Sequence, residues 1–278
     1  MSEGKDLTRN NLYKAIFSRN IGFITESEQD KLRKATIGVA GLGGVGGLLA
    51  ERLIRMGVGR LKITDPEAFE ESNLNRQFAS SMLNLGQNKT EVVLQNIKDI
   101  NPQAKISYND SGIKTENDAR AFVSDCDLVI DEMDFTAFRE SIILQRAARK
   151  RGIYCISVIT IGFGALAVVF DPKGLTIEEY NKLPSDVDLN DREKLKVPLE
   201  IIAPVLPSYA ATFPPDIAEE IMDGKRPGPS NSVGAGLASI LAANEAVRVI
   251  LNKDGIVTAP TYTYVDLIDR QLVVGTVS

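Results

Sequence analysis

The stretch GVAGLGGVGGLLAERLIRMGVGRLKITD, Gly38 to Asp65, limits the fold more than any other part of the chain. An apolar run from Ile37 to Ala40 reads as a buried strand, and Gly41, Gly43 and Gly46 follow it at the spacing G-x-G-x-x-G. Leu48 to Met56 continues as a helix, Gly57 and Gly59 stop it, and Leu61 to Thr64 reads as a second strand ending at Asp65. Strand, glycine turn, helix and strand make one βαβ unit, right-handed by default. A glycine turn that opens a helix aims backbone N–H groups and the positive helix end at a phosphate, and the missing side chains let it come close. Asp65 stands where a carboxylate accepts hydrogen bonds from a ribose. Alone, the stretch points to the phosphate of some nucleotide, NAD and FAD included.

Beyond it the alternation continues. Thr25 to Ala35 is a predicted helix, with Thr25 and Glu28 at capping-box spacing. Helices at Thr90 to Ile100, Glu116 to Ser124 and Thr136 to Lys150 separate strands at Ile106 to Tyr108, Asp127 to Asp131 and Ile153 to Ser157. Leu166 to Phe170 is a further strand, and the end of the chain alternates like an antiparallel hairpin turning near Asp269 and Arg270. The pattern predicts an α/β fold: a doubly wound, Rossmann-like, mainly parallel sheet with antiparallel strands toward the C-terminus. Residues 1–278 form one nucleotide-binding domain, with a helical arm at 1–36. A proline- and acid-rich excursion at 171–230 carries weak helical signals and is long enough to be functional.

No membrane span is expected. Gly162 and Gly164 split the uncharged run from Tyr154 to Phe170 into two buried strands, and Glu245 and Arg248 interrupt Val233 to Leu251. No basic-then-apolar leader precedes Ile37, and Cys126 and Cys155 both lie in apolar runs that read as buried strands, so a reduced, cytoplasmic setting is expected. The net charge of −5 disfavours nucleic acid as a nonspecific partner, because such binding needs a basic face. With no histidine in the chain, chemistry falls to carboxylates, Lys, Arg, backbone groups or a metal ion.

Just past Asp65, EESNLNRQF places Asn73, Asn75, Arg76 and Gln77, and GQNKTE opens the next helix with Lys89. The glycine loop already satisfies a dinucleotide's pyrophosphate, so an Arg and a Lys converging there suit a triphosphate. Lys89 is not a Walker lysine, since Leu48 follows Gly47. The plain alternative for each cation is a solvated surface charge.

With FSRN around Arg19, GLGGVG with Gly44, Asp65, S-N-L-x-R-Q with Asn73 and Arg76, G-Q-x-K with Lys89, and D-L-V-I-D-x-x-D ending at Asp134, the sequence resembles the ThiF/MoeB adenylyltransferases. That superfamily includes the catalytic halves of ubiquitin-activating enzymes. The resemblance covers about Phe17 to Leu251. It implies ATP in place of NAD, with Gly41, Gly43, Gly44, Gly46, Asp65 and Asn73 around the nucleotide and Arg76 and Lys89 on its triphosphate. It further implies Mg²⁺ on Asp134, and Arg19 acting as a finger from the second subunit of a homodimer. Asp131 is the alternative ligand, or a cap for the helix that follows.

The implied reaction is attack of a carboxylate on the α-phosphorus, giving an acyl-adenylate and pyrophosphate; positioning and charge neutralisation suffice for it. The substrate class is the C-terminus of a small carrier protein or peptide, or a small acid. A tRNA-modifying relative is a further possibility, against which the acidic balance counts. Three departures from the family pattern stand out: Phe135 replaces the usual Asn after Asp134, the paired C-x-x-C motifs are missing so that no zinc is expected, and no cysteine lies between Asp171 and Pro229. The last predicts no thioester on the chain itself. An NAD- or FAD-dependent oxidoreductase and a noncatalytic partner subunit are the competing classes.

Overall fold

The computed structural model describes residues 9–277 apart from residues 186, 196, 223, 224 and 227. Its strands are β1 (Thr36–Ala40), β2 (Arg60–Thr64), β3 (Lys105–Asn109), β4 (Leu128–Asp131), β5 (Tyr154–Ile161), β6 (Gly164–Phe170), β7 (Thr261–Asp266) and β8 (Gln271–Thr276). The helices are α1 (Arg9–Phe17), α2 (Glu26–Lys34), α3 (Gly46–Arg55), α4 (Lys89–Ile100), α5 (Glu116–Val123) and α6 (Phe138–Arg151), followed by α7 (Ile177–Tyr180), α8 (Leu199–Ile202), α9 (Pro215–Met222) and α10 (Ser232–Leu251).

One sheet runs β3-β2-β1-β4-β5-β6-β7-β8. The first five strands in that order are parallel and the last three join antiparallel. Helical crossovers separate the parallel strands in sequence, whereas only Gly162 and Phe163 lie between β5 and β6. Two residues with φ +61° at Gly162 can make nothing but a hairpin. From β1 the chain steps outward to β2 and β3, then returns to lay β4 and β5 on the other side of β1. The carboxyl ends of β1 and β4 therefore adjoin without a connection across them, which opens the crevice where doubly wound sheets bind ligands.

Strand alternation divides the core into two layers. Leu128 and Ile130 of β4 face α3, α4 and α10, while Val129 faces α5 and α6. On α3, Leu49, Ala50, Leu53 and Ile54 are fully buried, each large aliphatic contributing about 1.5–3 kcal/mol. Helix α10 is long and apolar enough to cross a membrane by length and composition. Its small residues Ala235, Ala238, Ala242 and Ala246 are buried, and the helix packs along β5 and β6, which is the behaviour of a core helix.

Several boundaries differ from expectation. Helix α6 begins at Phe138, because Asp134 caps a separate 3-10 turn, Phe135–Ala137, ahead of it. β5 extends past Ser157 to Ile161, since β6 pairs with it along its length. Cys126 is buried in the turn before β4 and not in a strand, its Sγ 3.3 Å from the Phe122 carbonyl. The 171–230 excursion is more ordered than its composition suggests. It holds α7, α8 and α9, the last starting at Pro215 where a helix tolerates proline, and it buries Ile177, Tyr180, Val197 and Ile201 against α6 and the sheet. Tyr209 ties it down by donating to Asp266 (2.7 Å) and accepting from the Phe163 amide (2.7 Å).

Candidate functional site

The glycine loop follows β1 with no room to spare. Gly41 has φ +90°, and a Cβ built on it would lie 2.2 Å from the Glu132 carbonyl oxygen; one on Gly46 would lie 1.9 Å from the Gly41 oxygen. These two glycines let β1, β4 and the start of α3 approach one another. Gly43 and Gly44 serve differently. Their nearest neighbours are the Gln77 amide (3.6 Å) and the Arg76 stem (3.4 Å), and both glycines are partly exposed.

Asp65 anchors this loop. It is buried, and its carboxylate accepts from the Leu42 amide (2.6 Å) and the Glu67 amide (2.8 Å), while its own carbonyl accepts from Thr90 Oγ1 (3.0 Å). Burial pushes its carboxyl above the usual range, against the amide hydrogen bonds and the Lys89 charge. A carboxylate offers about four lone-pair sites, so capacity remains for ribose hydroxyls. Lys89, at the first position of α4, is 3% exposed and donates to Glu67 Oε2 at 2.6 Å. It is a buried cation paired with one exposed carboxylate, not a solvated surface charge.

Arg76 is set by the turn before it. Asn73 Oδ1 accepts from the Glu70 amide (3.1 Å), and the Asn73 carbonyl accepts from the amides of Arg76 (3.1 Å) and Gln77 (2.8 Å). The Arg76 stem then passes over Gly44, and its guanidinium donates to the Ser72 carbonyl (3.1 Å) and Asn75 Oδ1 (2.9 Å). Asn75 in turn donates to the Ser230 carbonyl (2.9 Å), joining this turn to the start of α10. Gln77 Oε1 is buried beside Gly43 with no partner among the described residues, an orphan acceptor at the loop.

Just past the end of β4, Asp134 is exposed, and its Oδ1 accepts from the Thr136 amide (2.9 Å) and hydroxyl (2.8 Å). The capping role thus belongs to Asp134, while Asp131 points into the α6 layer. Among the described residues no cluster of three or more His, Cys, Asp or Glu side chains converges. A single carboxylate of this kind fits Mg²⁺, which is commonly held by one or two carboxylates together with substrate phosphates. Arg19 lies in the exposed 3-10 turn Ser18–Asn20, and it makes no hydrogen bond or ion pair with the described residues. The side chain of Phe135 lies outside what the structure describes.

Some residues of the site were not singled out from sequence. Glu67 is one; Glu132 is another, its Oε1 buried without a partner and its carboxyl pushed well up by burial and by Asp131. Asp131 is 4% exposed, accepts from the Met133 amide (3.3 Å) and sits 3.5 Å from Gln145 Nε2. Burial raises its carboxyl from 3.8 to about 6. The folded chain therefore binds this proton more tightly than the unfolded chain does, so the group costs stability as pH rises from about 4 through about 6. Asp131→Asn is expected to exceed the parent's stability by about 2–3 kcal/mol at pH 8 and to match it near pH 4. Urea unfolding at the two pH values measures this, and an equal difference at both would assign the effect to packing.

The glycine loop, with Asp65 bonded beneath it, Arg76 over Gly44 and Asp134 just past the adjoining end of β4, is now in place, and residues 17–277 match the ThiF family. The chain belongs to that family. Among curated relatives, the tRNA threonylcarbamoyladenosine dehydratase of Haemophilus influenzae is 35% identical over 156 residues, covering 56% of this chain and 57% of that protein. The Bacillus subtilis protein of the same name is 33% identical over 170 residues, covering 61% and 64%. The matches thus span about three fifths of the length of these ThiF-type relatives. The solved structure of E. coli MccB superposes with a TM-score of 0.71 at 18% identity, over 98% of this chain and 71% of that one. Solved structures of MccB with ATP and with N-formylated MccA match at a TM-score of 0.68 and 17% identity. At that identity the likeness is one of fold.

Proposed function

We propose that this ThiF-family chain adenylylates a carboxylate, using ATP and Mg²⁺. The observation that carries the reading is the placement of the Arg76 stem over Gly44 of the glycine loop, with buried Lys89 near Asp65 and Asp134 just past the end of β4, which adjoins β1. The loop amides and the two cations hold and neutralise the triphosphate; Asp65 takes the ribose. Asp134 holds Mg²⁺, which when bound draws charge from the phosphate oxygens. A carboxylate oxygen then attacks the α-phosphorus, the bond to the pyrophosphate oxygen breaks, and acyl-adenylate and pyrophosphate result. No proton need move on the enzyme, so the lack of histidine is no obstacle.

The acyl-adenylate passes to an external acceptor, because no cysteine lies in the 171–230 crossover. A peptide or carrier-protein terminus is the first substrate class, supported by the fold shared with MccB. A tRNA-borne acid is the second, supported by the name of the curated relatives, although the net charge of −5 supplies no overall basic surface. A homodimer is the proposed assembly, since Arg19 has no partner among the described residues and lies near the exposed Ile16, Ile21 and Phe23 in sequence, which a partner copy would cover.

Titration calorimetry with ATP·Mg²⁺ and with NAD tests the reading. Metal-dependent ATP binding, weakened about tenfold or more in Asp134→Ala with NAD silent, is the expected result. NAD binding with ATP silent would turn the site into that of an oxidoreductase. ATP binding without pyrophosphate release from any acid would leave a noncatalytic subunit.

A further inference from the structure

Beside Asp134, a cavity of about 120 Å³ runs between α6, the ends of β5 and β6, and the crossover helices α7 and α8. It is somewhat smaller than the roughly 150 Å³ that admits a benzene-sized ligand, so it suits a side chain of a few heavy atoms. Most of its wall is apolar, with Ile159, Leu166 and Ile201 among the lining residues. Two of its buried polar groups are unsatisfied. Gln145 is 6% exposed and its Oε1 has no partner among the described residues; Tyr180 is 7% exposed and its hydroxyl has none either. Asp131 lines the same cavity, 4% exposed, and is already partnered by the Met133 amide (3.3 Å), Gln145 Nε2 (3.5 Å) and Ser141.

Buried polar atoms left without partners are costly, and two around one cavity would be an expensive accident of packing. One of them, Gln145 Oε1, is an acceptor, and the Tyr180 hydroxyl can donate or accept. A ligand group that donates a hydrogen bond to Gln145 Oε1 and accepts one from the Tyr180 hydroxyl would satisfy both. The cavity also reaches Asp134, the residue assigned to the metal, so its occupant is attached close to the reacting carboxylate.

We infer that this cavity receives the side chain of the residue whose carboxylate is activated, and that this side chain is short and ends in a hydroxyl or N–H donor. The inference rests on the proposed adenylylation. A terminal glycine would leave the cavity empty and its polar floor unpaired. A site built to hydrogen-bond a substrate group discriminates strongly against an isostere lacking it.

The test is a calorimetric series on the full chain with N-acetyl-L-threonine, its isostere N-acetyl-L-valine, and N-acetylglycine. Each acid is titrated with and without the Mg²⁺ complex of an ATP analogue carrying a methylene between the α and β phosphorus atoms. The threonine acid is expected to bind at least tenfold more tightly than the other two. Tyr180→Phe and Gln145→Leu are each expected to bring it down to the valine level. Tyr180→Phe removes only an unpartnered hydroxyl and keeps the edge-to-face contact with Phe170 at 5.6 Å, so the fold survives it. Valine or glycine binding as tightly as threonine, an unchanged ratio in both variants, or no acid binding while the analogue binds would each overturn the inference. Failure of the analogue itself would sink the adenylylation reading, and the acid series without nucleotide would still decide the cavity.

Discussion

Gly46→Ala is expected to cost about 3 kcal/mol of stability and to weaken ATP·Mg²⁺ binding about tenfold or more. The added methyl would sit 1.9 Å from the Gly41 oxygen, 2.9 Å from its carbon and 3.3 Å from Glu132 Cβ. Two of those neighbours are backbone, and Gly41 cannot retreat, because its amide donates to the Thr64 carbonyl at 2.9 Å and the Glu132 carbonyl lies on its other side. Relief must come from lifting α3 off β1, which loosens the fully buried Leu49 and Leu53. Gly43→Ala is the control. Its methyl would meet only Gln77 Nε2 at 3.6 Å, ordinary contact, so stability should change by less than about 0.5 kcal/mol. Its nucleotide affinity should still fall, because the methyl occupies the face where phosphate approaches. Urea unfolding beside calorimetry separates the two; equal losses of stability would mean that the loop's glycines are all packing residues.

This contrast shows what the sequence makes legible. Spacing alone locates both glycines, since a βαβ unit with a G-x-G-x-x-G turn is a local pattern. It does not say that Gly41 and Gly46 are there for β4 and α3 while Gly43 and Gly44 are left open; that depends on β4 pairing beside β1, and its residues lie far along the chain. Asp65 is legible as an acid at a strand end, yet its hold on the Leu42 amide appears only when the loop is folded over it. Lys89 is legible at the start of a helix, but its partner Glu67 is brought to it by the loop after β2. The floor of the acyl cavity could not be read at all, because Gln145 and Tyr180 meet across a crossover with weak periodicity. Glu132 could have been: in DLVIDEMD it shares a face with Leu128 and Ile130, so strand alternation alone sends it toward the buried layer.

Lys89→Met is expected to lower kcat/KM for pyrophosphate release about 10²- to 10³-fold, the size of effect seen when a preorganised charge is removed from a developing anion. The side chain is already only 4% exposed in the free chain, so its desolvation precedes ligand binding and its field is less screened than in water. In the free chain Glu67 holds it, and that carboxylate is 66% exposed at its side chain, free to swing away when phosphate arrives. Glu67→Gln should therefore strengthen ATP binding, the opposite sign to Lys89→Met. An equal loss in both would make the pair a structural ion bridge. The same variant reports on the assembly. If Arg19 of one subunit completes the neighbouring site, Arg19→Ala and Lys89→Met chains are each inactive alone, yet a mixed dimer contains one site with Lys89 and a partner Arg19 intact. Random assortment of equal amounts then restores about a quarter of the parent activity. No recovery after verified subunit exchange would mean that Arg19 serves its own subunit or none.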